Sequence, residues 1–122
     1  MAKPNRKGIQ RVIFATKYSF DGLKAAWTHE EAFRQEGLLC FILIPLGIYF
    51  GDTPIEQVLL VGTCLIVLIT ELLNSAIEAV VDRISDDIHD LSKRAKDIGS
   101  AAVFVSLILM VFTWLTILIK YT

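Results

Sequence analysis

Long apolar runs, each closed by polar residues, set the pattern of this chain. Ile98 to Ile119 carries about 22 residues without a charge, enough to cross a bilayer core of about 30 Å as one helix. Val58 to Thr70 is shorter, but its helical spacing continues through Leu72, Leu73, Ile77, Val80 and Val81, interrupted only by Glu71, Asn74, Ser75 and Glu78. That predicts one long helix with a polar stripe at one end. Leu38 to Gly51 is extended backwards by Ala32 and Phe33, and Pro45 with Gly47 predicts a kink that a packed membrane helix tolerates. Ahead of these runs, Ile9, Val12, Ile13, Phe20, Leu23 and Trp27 recur near one helical face, provided the helix passes Gly22. Arg6, Lys7, Arg11, Lys17 and Lys24 fall largely off that face. This is the pattern of an amphipathic helix lying in a membrane interface, with Tyr18 and Trp27 as headgroup-level anchors; a soluble arm is the competing reading.

The prediction is an all-α membrane protein: a surface helix at about residues 6–27 and three spans at about 29–50, 54–84 (with a cytoplasmic extension) and 92–120, in one domain over residues 1–122. Thr28-His29-Glu30-Glu31 reads as a capping box opening the first span. Thr53-Pro54-Ile55-Glu56 reads as a second, with Gly51-Asp52 as the turn before it. Residues 85–92 read as a polar connection.

Composition agrees with this pattern. Of 122 residues, 54% are hydrophobic and 20% charged, which excludes a disordered chain. A chain this short has too little interior to bury such runs alone, so they face lipid or partner chains. The net charge of −1 gives no nucleic-acid footprint. Cys40 and Cys64 lie inside apolar runs and read as small fillers, with neither metal nor disulfide spacing. The N-terminal segment has no apolar core of the signal-peptide kind. Lys and Arg are absent between Gly37 and Val81 and gather in the N-terminal segment and in residues 82–97. The positive-inside bias puts both of those segments in the cytoplasm, the Gly51–Ile55 turn outside, and the C-terminus outside.

The polar stripe brings chemistry into the picture. Glu71, Asn74, Ser75, Glu78 and Asp82 share one face of a helix that turns about 100° per residue. A charge in the apolar region costs about 2.5–3.5 kcal/mol on insertion scales, so two carboxylates there point to a function. Such carboxylates hold a hard divalent ion such as Mg²⁺, and a poorly solvated one serves as a general base. Lys93, Arg94, Lys96 and Asp97, at the start of the third span, offer cations for phosphate oxygens, while Glu30, Glu31, Arg34, Gln35 and Glu36 open the first span at the same depth. The bland counterpart is polar glue between helices, with the Lys/Arg cluster as a topology signal. An ion-coupled transporter subunit and a non-catalytic scaffold fit the same stripe, although a carrier site belongs nearer the bilayer midplane. There is no Gly-rich phosphate loop and no Cys/His cluster; His29 and His89 stand singly at the interface.

The stretch Glu71-Leu72-Leu73-Asn74-Ser75-Ala76-Ile77-Glu78-Ala79-Val80-Val81-Asp82-Arg83 resembles the signature of the prokaryotic diacylglycerol kinase family. So do His89-Asp90-Leu91-Ser92, Arg94-Ala95-Lys96-Asp97-Ile98-Gly99-Ser100-Ala101-Ala102, Gly22-Leu23-Lys24-Ala25-Ala26-Trp27 and Glu30-Glu31-Ala32-Phe33-Arg34-Gln35-Glu36. Lys24, Asp90 and Lys93 depart from the residues usual in that family. The resemblance implies a homotrimeric helical bundle in the bacterial inner membrane that transfers the γ-phosphoryl group of MgATP to the hydroxyl of diacylglycerol. Undecaprenol kinase is the related alternative. By matching position, Glu71 is implied as the catalytic base and Glu30 with Glu78 as Mg²⁺ ligands. Arg11, Tyr18, Glu30, Glu78, Asp87, Ile88, His89, Lys96 and Asp97 are implied to bind nucleotide. Arg11, Ala32, Phe33, Arg34, Gln35, Glu36, Glu71 and Ser100 are implied at the lipid, with Asn74 in support. A thin three-span chain cannot enclose both substrates, so the site is expected to be shared between chains.

Overall fold

A computed structural model describes residues 3–84 and 87–120. They form four helices: α1 (Gly8–His29), α2 (Glu31–Phe50), α3 (Pro54–Ile84) and α4 (Asp90–Ile119). Ser85 and Asp86, in the predicted polar connection, lie outside the described residues. Helices α2, α3 and α4 are long and apolar enough to cross a membrane, and the protein is a multi-pass membrane protein. At about 1.5 Å per residue, the 20 residues of α2 reach about 30 Å and the 31 of α3 about 46 Å. The excess of α3 over a bilayer core of about 30 Å is about three turns, and it lies at the end that bears the polar stripe.

Helix α1 passes through Gly22 without a break and leaves its apolar side uncovered by the rest of the chain: Ile9 is 77% exposed, and Val12, Ile13, Phe20 and Trp27 are exposed with it. A face of that kind calls for lipid or a neighbouring chain, as an interfacial helix does.

The three long helices meet along a narrow seam. Gly99, Val103, Ser106, Met110, Trp114 and Ile117 of α4 are buried at steps of three or four residues, one helical stripe. They face α3, where Leu60, Thr63, Cys64, Val67, Glu71, Asn74 and Ser75 are buried. Cys40, Leu60, Cys64, Val67, Met110, Trp114 and Ile117 form one apolar cluster. The Trp114 indole N–H donates to the Leu60 carbonyl at 3.1 Å, and the Thr70 and Ser106 hydroxyls meet at 2.9 Å. Such interhelical bonds in membranes average about 0.6 kcal/mol each, so apolar packing dominates the seam. Helix α2 is unbroken through Pro45, and Gly47 serves close packing: a Cβ there would stand 3.0 Å from Leu60 Cβ.

The turn between α2 and α3 follows the second predicted capping box. The Glu56 N–H donates to Thr53 Oγ1 at 3.2 Å, and Glu56 Oε1 accepts from the Asp52 N–H, one residue ahead of the usual partner. Gln57 Nε2 donates to the Ile48 carbonyl at 3.0 Å, and Gly51 leaves it room, since a Cβ would stand 2.6 Å from Gln57 Cγ. The Lys120–Glu56 ion pair ties the far end of α4 to the start of α3.

The first predicted box does not form. Helix α1 continues to His29, so Thr28 sits inside a helix and its hydroxyl donates back to the Lys24 carbonyl at 2.8 Å, the usual outlet for an interior threonine. Glu30 takes the N-cap position of α2 without a side-chain bond. The corner is held instead by Arg34, whose Nη1 donates to the Trp27 carbonyl at 2.7 Å and the Thr28 carbonyl at 3.2 Å. Helix α4 opens at Asp90, earlier than predicted, because His89 Nδ1 accepts from the Leu91 N–H at 3.0 Å.

Candidate active site

The polar stripe of α3 is turned inward. Glu71 is only 5% exposed, and Asn74 and Ser75 are buried beside it. Across the α2–α3 seam the Glu36 carboxyl lies next to that of Glu71, with Glu30 and Glu78 close enough to act on it electrostatically. Asn74 Nδ2 donates to Glu78 Oε1 at 3.3 Å. Asn74 Oδ1 is backed by Gly99, where a Cβ would stand 2.2 Å away. Helix α4 thus comes so close at this level that glycine alone fits. With Pro54 at one interface and about 1.5 Å per residue, Glu71 lies about 26 Å up α3, Asn74 about 30 Å and Glu78 about 36 Å. The stripe begins just inside a core of about 30 Å and ends among headgroups.

Two buried polar atoms here have no hydrogen-bond partner among the described residues: Asn74 Oδ1 and Ser75 Oγ; Glu36 Oε2 is a third. Buried polar groups are nearly always satisfied, so each of these atoms calls for a polar partner. Ser75 lines a cavity of about 650 Å³ between α1 and α3, walled mostly by Gly22, Leu23, Ala25, Ala26, Leu72, Ala76 and Ala79, with Glu30 at its rim. The small residues of both helices open it.

The residues implied for nucleotide separate into groups. Arg11 and Tyr18 line a cleft on the polar side of α1, adjoining the Glu30 cavity through Ser19. Asp87, Ile88, His89, Lys96 and Asp97 line another cavity of about 450 Å³ with Asp82, where Lys96 Nζ pairs with Asp82 Oδ1 at 2.6 Å. Asp97 is paired with Lys93 at 2.6 Å. Ile88 is 97% exposed, and His89 is occupied in capping α4. Of the residues implied at the lipid, Phe33 is buried, Ala32, Gln35 and Ser100 are exposed, and Arg34 closes the α1–α2 corner. One chain therefore gathers Glu30, Glu36, Glu71, Asn74 and Glu78, while Lys96 and Asp97 line a different cavity, with Lys96 near enough to Glu78 to interact with it electrostatically.

Two participants were not singled out from the sequence. Ser75 was visible in the stripe, four residues after Glu71, but without a role. Gly99 carried no local signal, because its importance lies in what stands opposite.

Among the described residues no three His, Cys, Asp or Glu side chains converge as a self-sufficient metal site. Mg²⁺ seldom needs one: it takes one or two carboxylates and completes its shell with substrate phosphates and water. Glu30 and Glu78, both close enough to Glu71 to act on it, are carboxylates of that kind.

The family model for prokaryotic diacylglycerol kinase matches residues 17–118. The chain is 48% identical over 114 residues to the diacylglycerol kinase of Escherichia coli (strain K12), covering 93% of each. It is 50% identical over 107 residues to that of Haemophilus influenzae, covering 88% of this chain and 91% of the other. It is 51% identical over 112 residues to that of Pseudomonas aeruginosa, covering 92% and 91%.

Proposed function

This chain belongs to the prokaryotic diacylglycerol kinase family and moves a phosphoryl group from ATP to the hydroxyl of diacylglycerol, and we propose that its own residues divide that work as follows. Glu71 is the base. As the lipid hydroxyl oxygen bonds to the γ-phosphorus, its proton passes to the Glu71 carboxylate, the bond from the γ-phosphorus to the β–γ bridging oxygen breaks, and ADP and phosphatidate result. Phosphoryl transfer asks mainly for positioning and charge neutralisation, with a base at the nucleophile. The observation that carries this reading is the inward-turned face of Glu71, Asn74 and Ser75, continued by half-buried Glu78, where the unpartnered Ser75 hydroxyl lines a cavity rimmed by Glu30.

Asn74 holds Glu78 through its amide, and Gly99 holds Asn74. Glu30 and Glu78 would hold Mg²⁺, which when bound neutralises charge on the phosphate oxygens. Arg11, Tyr18, Lys96 and Asp97 grip nucleotide, with Asp87, Ile88 and His89 at its edge. Arg11, Ser100 and the Ala32–Glu36 element meet the lipid. The working unit is a homotrimer in the inner membrane, its N-terminus and the 82–97 block cytoplasmic and its C-terminus periplasmic, following the Lys/Arg bias. Within one chain the Lys96–Asp97 group and the Glu30 group line different cavities, which favours sites completed by a neighbouring chain.

The test is a kinase assay in detergent micelles with diacylglycerol and MgATP, run beside undecaprenol. Phosphatidate should form with diacylglycerol preferred. Glu71→Gln should lower turnover by at least about 10³-fold with the trimer intact, on the scale of lost general-base catalysis. Near-normal turnover in that variant removes Glu71 from the role of base.

A further inference from the structure

The cleft that holds Arg11 and Tyr18 is closed by a segment the function has not used. Gly8 has φ +64, a conformation open to glycine and strained for other residues, and it turns residues 3–7 back along α1. Arg6 Nη1 donates to the Tyr18 hydroxyl at 2.8 Å, and its guanidinium lies 3.5 Å from the centre of the Phe14 ring. The Lys3 ammonium sits 4.3 Å above the Tyr18 ring. Between strap and helix is a cleft of about 620 Å³, within the roughly 300–1,000 Å³ of small-molecule sites. Lys3, Arg6 and Arg11 line it, and among the described residues no carboxylate does.

Its direction identifies the kind of anion. At about 100° per residue, the face bearing Arg11, Ala15, Tyr18, Gly22 and His29 is centred roughly 145° away from the apolar face of Ile9, Val12, Ile13, Phe20 and Leu23. The strap therefore lies on the side turned from lipid, and its cations address a water-borne anion. Ser19 lines both this cleft and the cavity rimmed by Glu30, so the two adjoin along α1.

We propose that Lys3 and Arg6 are further nucleotide-binding residues, closing over the polyphosphate chain from the side opposite Arg11. This rests on the reading of Arg11 and Tyr18 as nucleotide ligands. A guanidinium carries five N–H donors, and the bond to Tyr18 uses one of them, so Arg6 is oriented by Tyr18 and Phe14 while keeping donors for phosphate oxygens. Lys3 adds a point charge from the same strap.

The test compares the Lys3→Gln/Arg6→Gln double variant with the full-length parent in mixed micelles. The KM for MgATP should rise about fivefold or more with kcat within about twofold and the diacylglycerol KM unchanged, the pattern of lost uniform binding. ADP should inhibit more weakly in the same proportion and adenosine equally well, since only the phosphates are gripped. Arg6→Lys on the Lys3→Gln background should recover part of the loss. Arg11→Gln is run alongside. If it raises the nucleotide KM and the strap variant does not, the strap proposal falls and the nucleotide reading stands. If neither does, the nucleotide reading of this cleft falls too. A lower KM in the double variant overturns the proposal by making the strap a competitor for Tyr18. An effect that appears only as the anionic lipid fraction is varied overturns it in favour of headgroup binding.

Discussion

Single atoms decide most at Asn74. Its amide nitrogen is spent on Glu78, and its oxygen is pressed against the one position on α4 that has no side chain. Gly99→Ala puts a methyl group 2.2 Å from that oxygen and forces Asn74 or α4 to move. Because site geometry is sensitive at the ångström level, the expected result is a fall of about 10²-fold or more in kcat. Thermal unfolding should also move down, and Gly99→Leu should be worse; unchanged kcat in Gly99→Ala would show that Asn74 does not position Glu78. Trp114 offers a separate measurement nearer the other end of the seam. Trp114→Phe removes the bond to the Leu60 carbonyl while keeping an aromatic ring, and should cost about 0.6–1.7 kcal/mol of stability with activity retained, read by unfolding in mixed micelles.

At the level of elements, the helices differ in what makes them legible. The stretches that became α3 and α4 announce themselves by length and hydropathy, and the Thr53 cap follows a rule that needs only four adjacent residues. The Thr28 box failed because a capping motif is local and says nothing of where the preceding helix stops; once α1 runs to His29, Thr28 is interior. Arg34 took over the corner, a bond over six and seven residues that no spacing rule anticipates. Helix α1 also yields a prediction of its own. Phe20→Glu places a charge on its uncovered apolar face and should lift α1 from the bilayer surface while the three spans stay inserted. In a Trp114→Phe background, quenching of Trp27 fluorescence by brominated lipid should drop, and kinase activity should fall with it. Undiminished quenching would mean that the face is covered by protein.

The whole molecule is thin: three spans and a surface helix, with much of its apolar surface uncovered within one chain. The groups proposed for phosphoryl transfer line different cavities, Glu30 between α1 and α3 and Lys96 with Asp97 at the base of α4. If neighbouring chains complete each site, Glu71→Gln and Asp97→Asn protomers, each inactive alone, should regain activity when co-assembled, by an amount that follows the mixing ratio; a site confined to one chain gives none. Much of the architecture follows from sequence by itself, because hydrophobic length against bilayer thickness and the positions of Lys and Arg are properties of the linear chain. The stripe too was legible, since helical periodicity alone gathers Glu71, Asn74, Ser75 and Glu78 on one face. Only the tertiary structure decided where that face points, that Glu36 stands beside Glu71, that Gly99 fixes Asn74, and that Lys3 and Arg6 fold back on Tyr18. Each of those depends on the approach of segments distant in sequence or on one positive backbone angle, and no periodicity within a single helix encodes either.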